Sequence, residues 1–335
     1  MLLSTVSTRS RAAGGGGRDR GHDNSAALPP PPASIFGFEV VRQLGRGAGS
    51  TIYAVRNGLN VADAAGRDLV ALKHVVREDE KDLRFIEQLE AEHEVSHRVC
   101  HAGLRRTFDL RISRNLFRRA TEAVLIMEYF AGEPMDAPAA AARSTTAERK
   151  IQQLLAVFVQ TTRALDALHA LGYVHCDLKP ANILIAGNGR VKVIDLGQAA
   201  RAGTVKPRIQ GTPDYIAPEQ VRCLPVTPQT DLYNFGATMY WALSGRNLPT
   251  LYTIKKDANS FLLDAAIDTP AALNPAVPEP LSNLVMQCVR TNPSKRPDSA
   301  KEVGQRLETI FYGLRRRGAS TPAAAGERHL VPRAS

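Results

Sequence analysis

The chain has 335 residues, of which 44% are hydrophobic, so it is long enough to bury one large core or two small ones. No run approaches the ~18 apolar residues of a membrane-spanning helix, and the sequence therefore predicts no membrane span. The four cysteines form no C-x-x-C pair, which argues against a disulfide scaffold, so we expect reduced thiols and a cytoplasmic location.

The net charge of +10 is concentrated at the two ends of the chain. Residues 1–34 carry four Arg and two Asp, a net +2, and residues 313–335 carry five Arg and one Glu, a net +4. We interpret these segments as a disordered Gly/Arg/Pro-rich tail and a basic disordered tail, with no specific nucleic acid as partner. A nucleic-acid binder is the alternative, and it explains Arg315–Arg317 but none of the central motifs.

The central part of the chain changes its pattern once. Short β-like runs predict strands at 38–44, 51–55, 69–76 and 124–129, interrupted by one helix at about 80–99. Residues 147–312 show mainly helical spacing of apolar residues. We therefore expect an α+β fold with a small β-rich lobe at about 36–130, a larger helical lobe at about 131–312 and a cleft between them.

A glycine-rich segment, 44–55, lies between two predicted strands. Its glycines allow a tight hairpin whose backbone N–H groups approach phosphate oxygens closely. The segment alone is weak evidence, because ordinary hairpins also use glycine. A dinucleotide-binding fingerprint is disfavoured because a strand follows the glycines, whereas that motif needs a helix.

Lys73 lies in an otherwise apolar strand, where a charged group is costly unless it faces a cleft and an anion. The alternative is a lysine at a sheet edge whose ammonium reaches water. The next predicted helix contains Glu87, Glu90, Glu92 and Glu94. Most of these must form a solvated face, but one of them could pair with Lys73.

Two further segments carry polar groups typical of phosphate chemistry. Asp177 could accept a hydroxyl proton, and Lys179 could neutralise charge on a transferred group. Asn182 and Asp195 offer the hard oxygen ligands that a divalent ion on a polyphosphate requires. Each of these residues alone could equally be a loop carboxylate or a turn-forming Asn.

The motifs occur in the order glycine loop, strand Lys, helix Glu, H-x-D-x-x-x-x-N and D-x-G, and in this order the chain resembles the eukaryotic-type Ser/Thr protein kinase family, including its bacterial members. The resemblance covers about residues 36–312. Later landmarks also match, namely Ala217-Pro218-Glu219, the segment 231–236 and the segment 292–297 with Arg296. The resemblance implies a bilobal kinase fold that uses ATP with Mg²⁺ or Mn²⁺ to phosphorylate Ser/Thr hydroxyls of protein substrates.

The resemblance also implies roles for individual residues. Asp177 resembles the catalytic base, Lys179 its companion, Lys73 the α/β-phosphate lysine and Glu92 the helix partner of that lysine. Asn182 and Asp195 resemble the metal ligands. The nucleotide-binding positions are Gly45, Arg46, Gly47, Ala48, Gly49, Ser50, Thr51, Ile52, Tyr53, Ala71, Lys73, Met127, Glu128, Tyr129, Phe130 and Leu184.

Two departures from the family pattern lead to further expectations. Cys176 replaces an arginine that grips an activation-loop phosphate in many members, so we predict that loop phosphorylation is not the main on-switch. If Glu92 pairs with Lys73, Ser96 occupies a position that is apolar in the family, so Glu90 or Glu94 stays open as the partner.

Two other functions remain alternatives. One is a pseudokinase or nucleotide-binding scaffold on the same fold, which would normally lack one of the motif residues that are present here. The other is a small-molecule kinase, which generally lacks the later landmarks.

Overall fold

The computed structural model describes residues 31–47, 49–58, 68–137, 146–253 and 267–319. The N-terminal part forms an antiparallel six-stranded sheet. Its strands are β1 Ser34–Ile35, β2 Phe38–Arg46, β3 Thr51–Arg56, β4 Leu69–Val76, β5 Thr107–Arg114 and β6 Ala120–Glu128. Their order in the sheet is β1-β2-β3-β4-β6-β5.

One helix, α1, packs against this sheet. It spans Leu83–Arg98 and follows a short 3-10 turn, Glu80–Asp82, that Asp79 caps with its side chain. Its apolar face buries Ile86 and Leu89 against Val75 and Leu125 of the sheet. The polar face of α1 stays in solvent, as the periodicity of the sequence predicts.

The C-terminal part is mainly helical. Its helices are α2 Ala147–Ala170, α3 Pro218–Val221, α4 Pro228–Ser244, α5 Pro270–Leu273, α6 Glu279–Cys288 and α7 Ala300–Ala319. Helices α2 and α4 meet at Phe158 and Phe235, whose rings pack edge to face with centroids 5.8 Å apart. The α+β fold with a β-rich and a helical lobe, as expected from the sequence, is confirmed.

Short strands line the side of the helical lobe that faces the sheet. They are β7 Gly132–Pro134, β8 Tyr173–Val174, β9 Ile183–Ala186, β10 Val191–Val193 and β11 Ala200–Arg201. β9 pairs with both β7 and β10, and β8 pairs with β11. The turns that leave β8 and β10 carry the polar motifs, so this arrangement directs them towards one cleft.

The two lobes are joined by backbone and charge. The backbone N–H of Arg105 donates to the carbonyl of Val193 at 3.0 Å, and that of Val193 donates to the carbonyl of Gly103 at 2.7 Å. At the end of β6, Glu128 pairs with the buried Lys192 of β10 at 2.7 Å. These contacts hold the rear wall of the cleft together.

One strand and one helix boundary differ from what the sequence pattern predicts. Strand β5 was not among the predicted strands, although Phe108, Leu110 and Ile112 alternate along it. Helix α7 continues past residue 312 to Ala319 because Phe311 and Leu314 extend its apolar face onto the core.

No helix in the described ranges is long and apolar enough to cross a bilayer.

The buried ion pair between Arg296 and Glu219 generates the first prediction. Arg296 is 3% exposed, and its two terminal nitrogens reach the two carboxylate oxygens of Glu219 at 2.6 and 2.9 Å. Arg296→Met strands a buried carboxylate and should lower the free energy of unfolding by about 3–5 kcal/mol in urea denaturation.

Arg163→Met is the matched control, because Arg163 pairs with Glu308 while remaining 64% exposed. This change should cost about 1 kcal/mol or less. Equal losses for the two variants would contradict the structural role of the Arg296 pair.

Candidate active site

A cavity of about 550 Å³ opens between the sheet and the helical lobe. Most of the residues predicted from the sequence line it, namely Gly45, Arg46, Gly47, Gly49, Ser50, Ile52, Lys73, Glu92, Phe130, Asp177, Lys179, Asn182, Leu184 and Asp195. The structure therefore brings the motif residues of the sheet and those of the helical lobe to one cavity, which is large enough for a nucleotide-sized ligand.

Several predicted nucleotide-binding residues do not line this cavity. Tyr53 packs into the sheet core beside Phe38, because successive side chains of β3 point to opposite faces. Ala71 and Met127 pair across β4 and β6 and are completely or almost completely buried. The side chain of Tyr53, a predicted nucleotide-binding residue, therefore lies outside the cavity.

The remaining predicted positions lie at the margins. Thr51 starts β3 opposite Arg46, outside the cavity lining. Glu128 and Tyr129 border a separate small depression, and the Tyr129 hydroxyl accepts a bond from Arg42 at 3.0 Å. Ala48 lies outside the described residues.

Lys73 is the centre of the charge network. Its Nζ lies 2.8 Å from Glu92 Oε2 and 2.8 Å from Asp195 Oδ1. Burial alone would lower the pKa of Lys73, but the two carboxylates outweigh this effect and raise that pKa. The pKa of Asp195 is held below its usual value by Lys73, even though burial acts in the opposite direction. Lys73 and Asp195 are therefore charged at neutral pH.

The register of α1 decides which glutamate faces Lys73. Glu92 is 3% exposed, whereas Glu90 and Glu94 lie on the exposed face. Ser96, one turn after Glu92, is buried, and its hydroxyl donates to the Arg105 carbonyl at 2.8 Å and accepts from the Thr107 N–H at 3.0 Å. A polar residue at this point is accommodated because it ties α1 to the backbone of β5.

Asp177 is held in a triangle of polar contacts. Its Oδ1 accepts from the Thr212 hydroxyl at 2.8 Å, and its Oδ2 accepts from Lys179 Nζ at 3.0 Å. Lys179 also donates to the Thr212 hydroxyl at 2.8 Å. The carboxylate is 5% exposed, so its orientation is fixed before any ligand arrives.

Asp231, at the start of α4, supports the loop that carries Asp177. It is fully buried, and its two oxygens accept the backbone N–H groups of His175 at 2.7 Å and Cys176 at 2.9 Å. These bonds hold an unusual backbone in place, since Cys176 has φ of 67°, in the left-handed region. Strained conformations of this kind persist where the surroundings over-determine them.

Asn182 and Asp195 are suited to hold a divalent cation. The amide nitrogen of Asn182 donates to the Asp177 carbonyl at 2.8 Å, which leaves its amide oxygen as the atom available to a metal. The Asp195 carboxylate is 40% exposed and lines the same cavity. In the described residues, no group of three His, Cys, Asp or Glu side chains is arranged to hold a metal ion.

Cys176 lies away from the cavity. It is fully buried in an apolar cluster with Val174 and Val226, and burial raises the pKa of its thiol far above the usual range. A neutral thiol in this position cannot pair with a phosphate. Asp177, Lys179 and Thr212 nevertheless make all three contacts with one another.

The similarity of the chain to known proteins shows its family. The family model described as "protein kinase domain" matches residues 38–306. The chain belongs to the protein kinase family. Members of this family act with ATP and a divalent metal ion, and the expected resemblance to Ser/Thr protein kinases, including bacterial ones, is confirmed.

Curated bacterial relatives are similar over most of this kinase. Serine/threonine-protein kinase PknA of Mycobacterium tuberculosis is 31% identical over 254 residues, which are 73% of this chain and 56% of the relative. Serine/threonine-protein kinase drp72 of Corynebacterium efficiens is 26% identical over 286 residues, 84% of this chain and 52% of the relative. A Clostridium acetobutylicum protein named as a probable serine/threonine-protein kinase is 26% identical over 279 residues, 82% and 40%. The chain spans about half the length of these relatives.

Sequence reasoning missed two residues that shape the cavity of the kinase. Phe85 of α1 lies under the glycine loop, so close that a Cβ on Gly49 would be 2.3 Å from its ring. Arg105 lines the rear wall, is 8% exposed and has an Nε without a hydrogen-bond partner in the described part of the chain. Only the requirement for glycine at position 49 offered a signal, since neither Phe85 nor Arg105 falls in a recognisable motif.

The glutamate register generates the second prediction. Glu92→Gln removes the charge that holds Lys73 and should lower kcat/KM for phosphoryl transfer by at least about tenfold. Glu90→Gln and Glu94→Gln are matched controls on the exposed face of the same helix, and they should retain wild-type turnover. If either control lost as much activity as Glu92→Gln, the assignment of Glu92 would be wrong.

Proposed function

We propose that the cleft transfers the γ-phosphoryl group of ATP to the hydroxyl of Ser or Thr in protein substrates. The observation that carries this proposal is the contact of Lys73 with both Glu92 and Asp195, beside an Asp177 that is already oriented. The cavity thus offers a cation for phosphates, acidic and amide oxygens for a metal, and a base.

The nucleotide would bind between the glycine loop and the floor of the cleft. Backbone N–H groups of Gly45–Ser50 would contact the phosphates, and Lys73 would move from Asp195 to the α- and β-phosphates while keeping Glu92. Ile52 and Leu184, which line opposite walls, would enclose the adenine. The segment from Glu128 to Phe130 would supply backbone hydrogen bonds to it.

Asp195 and the amide oxygen of Asn182 would hold Mg²⁺ or Mn²⁺. When bound, the ion would neutralise charge on the phosphates as the bond between the γ-phosphorus and the β,γ-bridging oxygen breaks. Lys73 would keep its contact with Glu92 at 2.8 Å when Asp195 turns to the metal. The two carboxylates around Lys73 therefore divide between the lysine and the metal.

The transfer step relies on Asp177 and Lys179. The acceptor hydroxyl oxygen attacks the γ-phosphorus, the bond to the β,γ-bridging oxygen breaks, and ADP leaves. The hydroxyl proton passes to the Asp177 carboxylate. Lys179, 3.0 Å from Asp177, would neutralise charge on the phosphoryl group in flight.

The acceptor is proposed to be a protein. Arg296 anchors the segment Ala217-Pro218-Glu219 through the carboxylate of Glu219. This segment belongs to the part of the helical lobe where we expect the acceptor protein to bind. The contact of Thr212 with both Asp177 and Lys179 is consistent with a hydroxyl acceptor bound beside it. We also infer a cytoplasmic location, because all four cysteines are free thiols.

The third prediction concerns phosphoryl transfer, measured by incubating the protein with Mg²⁺, γ-labelled ATP and a basic protein substrate. Asp177→Asn should lower kcat on the order of 10²–10⁴-fold, and Asp195→Ala should abolish transfer, because each removes a group that acts on the reacting atoms. Asp109→Ala is the control, since Asp109 lies on β5 and pairs only with a surface arginine in the described contacts.

Label transfer that persists in Asp195→Ala would overturn the proposal. A thermal shift with Mg²⁺-ATP in the absence of any transfer by the wild-type protein would instead favour a nucleotide-binding scaffold.

A further inference from the structure

The turn between β5 and β6 displays two apolar side chains to solvent. We call residues 115–119 the tip. Within it, Leu116 is 100% exposed and Phe117 is 83% exposed, the highest values among the large hydrophobic residues that the structure describes. Neither side chain contributes to a hydrophobic core of the kinase. Adjacent exposed apolar side chains of this size indicate a surface that interacts with another molecule.

The tip is a fixed turn. Asn115 Oδ1 accepts the backbone N–H groups of Phe117 and Arg119, both at 3.0 Å. The backbone of Asn115 accepts from Arg118 at 2.9 Å and donates to Arg119 at 3.0 Å. Because these bonds close the turn, Leu116 and Phe117 are presented without a further cost of ordering the backbone.

The tip and the residues next to it in the chain are rich in arginine, while Glu80 of the neighbouring turn lies beside Arg119. From residue 110 to residue 121 the chain has four arginines and no Asp or Glu. Arg114 precedes the tip, and Arg118 and Arg119 belong to it. The ion pair of Arg119 with Glu80 is long, at 3.5 Å, and exposed on both sides, so it neutralises little of this charge.

The tip lies at the far end of the hairpin from the cleft. Strand β6 begins at Ala120 beside the tip and ends at Glu128 beside the nucleotide cavity. A strand of this length spans roughly 27 Å, so an object bound at the tip leaves the cleft open.

We propose that the tip docks this kinase on the surface of an anionic lipid bilayer. Leu116 and Phe117 enter the boundary between headgroups and acyl chains, while Arg114, Arg118 and Arg119 contact the anionic headgroups. A convex tip with two apolar side chains buries far less than the ~1,200 Å² of a stable protein interface. A bilayer needs no complementary shape, and the charge of the tip matches an anionic one.

Vesicle co-sedimentation tests the proposal on the full chain. The wild-type protein should sediment with vesicles of phosphatidylcholine and phosphatidylglycerol, less with phosphatidylcholine alone, and less at high salt. Leu116→Ser/Phe117→Ser should lower the partition coefficient at least about tenfold, because insertion of the apolar side chains is lost. Arg114→Gln/Arg118→Gln should reduce binding to the anionic vesicles and weaken its dependence on salt.

Leu171→Ser/Leu224→Ser is the matched control, since it removes two leucines that are 44% and 48% exposed on the helical lobe. It should bind vesicles like the wild type. Circular dichroism of each variant verifies folding independently of phosphoryl transfer, so the result does not depend on the proposed enzymatic activity.

The proposal is overturned if the wild-type protein does not bind anionic vesicles or if Leu116→Ser/Phe117→Ser binds them equally well. It is also overturned if light scattering shows a dimer that this variant loses while vesicle binding is absent, because the tip would then be a protein interface.

Discussion

The ion pairs of Lys73 are the interaction on which the site depends. A lysine in the middle of an apolar sheet is costly to bury, and here two carboxylates at 2.8 Å offset that cost. One carboxylate comes from α1 and the other from the loop after β10, so a single ammonium group joins the sheet, the helix and the helical lobe. These two contacts set the positions of the three charged groups in the cleft.

Other polar contacts secure the elements that bring the carboxylates to Lys73. Ser96 ties α1 to the Arg105 carbonyl and to the Thr107 N–H at the start of β5, and these two hydrogen bonds fix the register that turns Glu92 inwards. Asp231 holds the loop before Asp177 through two backbone N–H groups. Cys176 fills an apolar cluster in this loop, and the surrounding network is complete without a cationic side chain there. The chain thus assembles the site from its own side chains.

The sequence predicted the fold and most of the cavity lining, because strands, glycine loop and polar motifs have spacings tied to their geometry. It left the partner of Lys73 open between Glu92 and its neighbours, since helical periodicity does not fix the register of α1 to within one residue. Tyr53 was misjudged because a strand alternates its faces within a motif. Arg105 was missed, since its position at the rear wall depends on contacts between segments distant in sequence.

Lys73, Glu92, Asp195 and Asp177 are in their active arrangement without a phosphate on the segment between Asp195 and Glu219. The most direct measurement is the initial rate of transfer by phosphatase-treated protein, shown by intact mass to carry no phosphate, on addition of Mg²⁺-ATP and substrate. We expect the full rate from the first turnovers. A lag that shortens as the protein phosphorylates itself, or activity that appears only after loop phosphorylation, would contradict it.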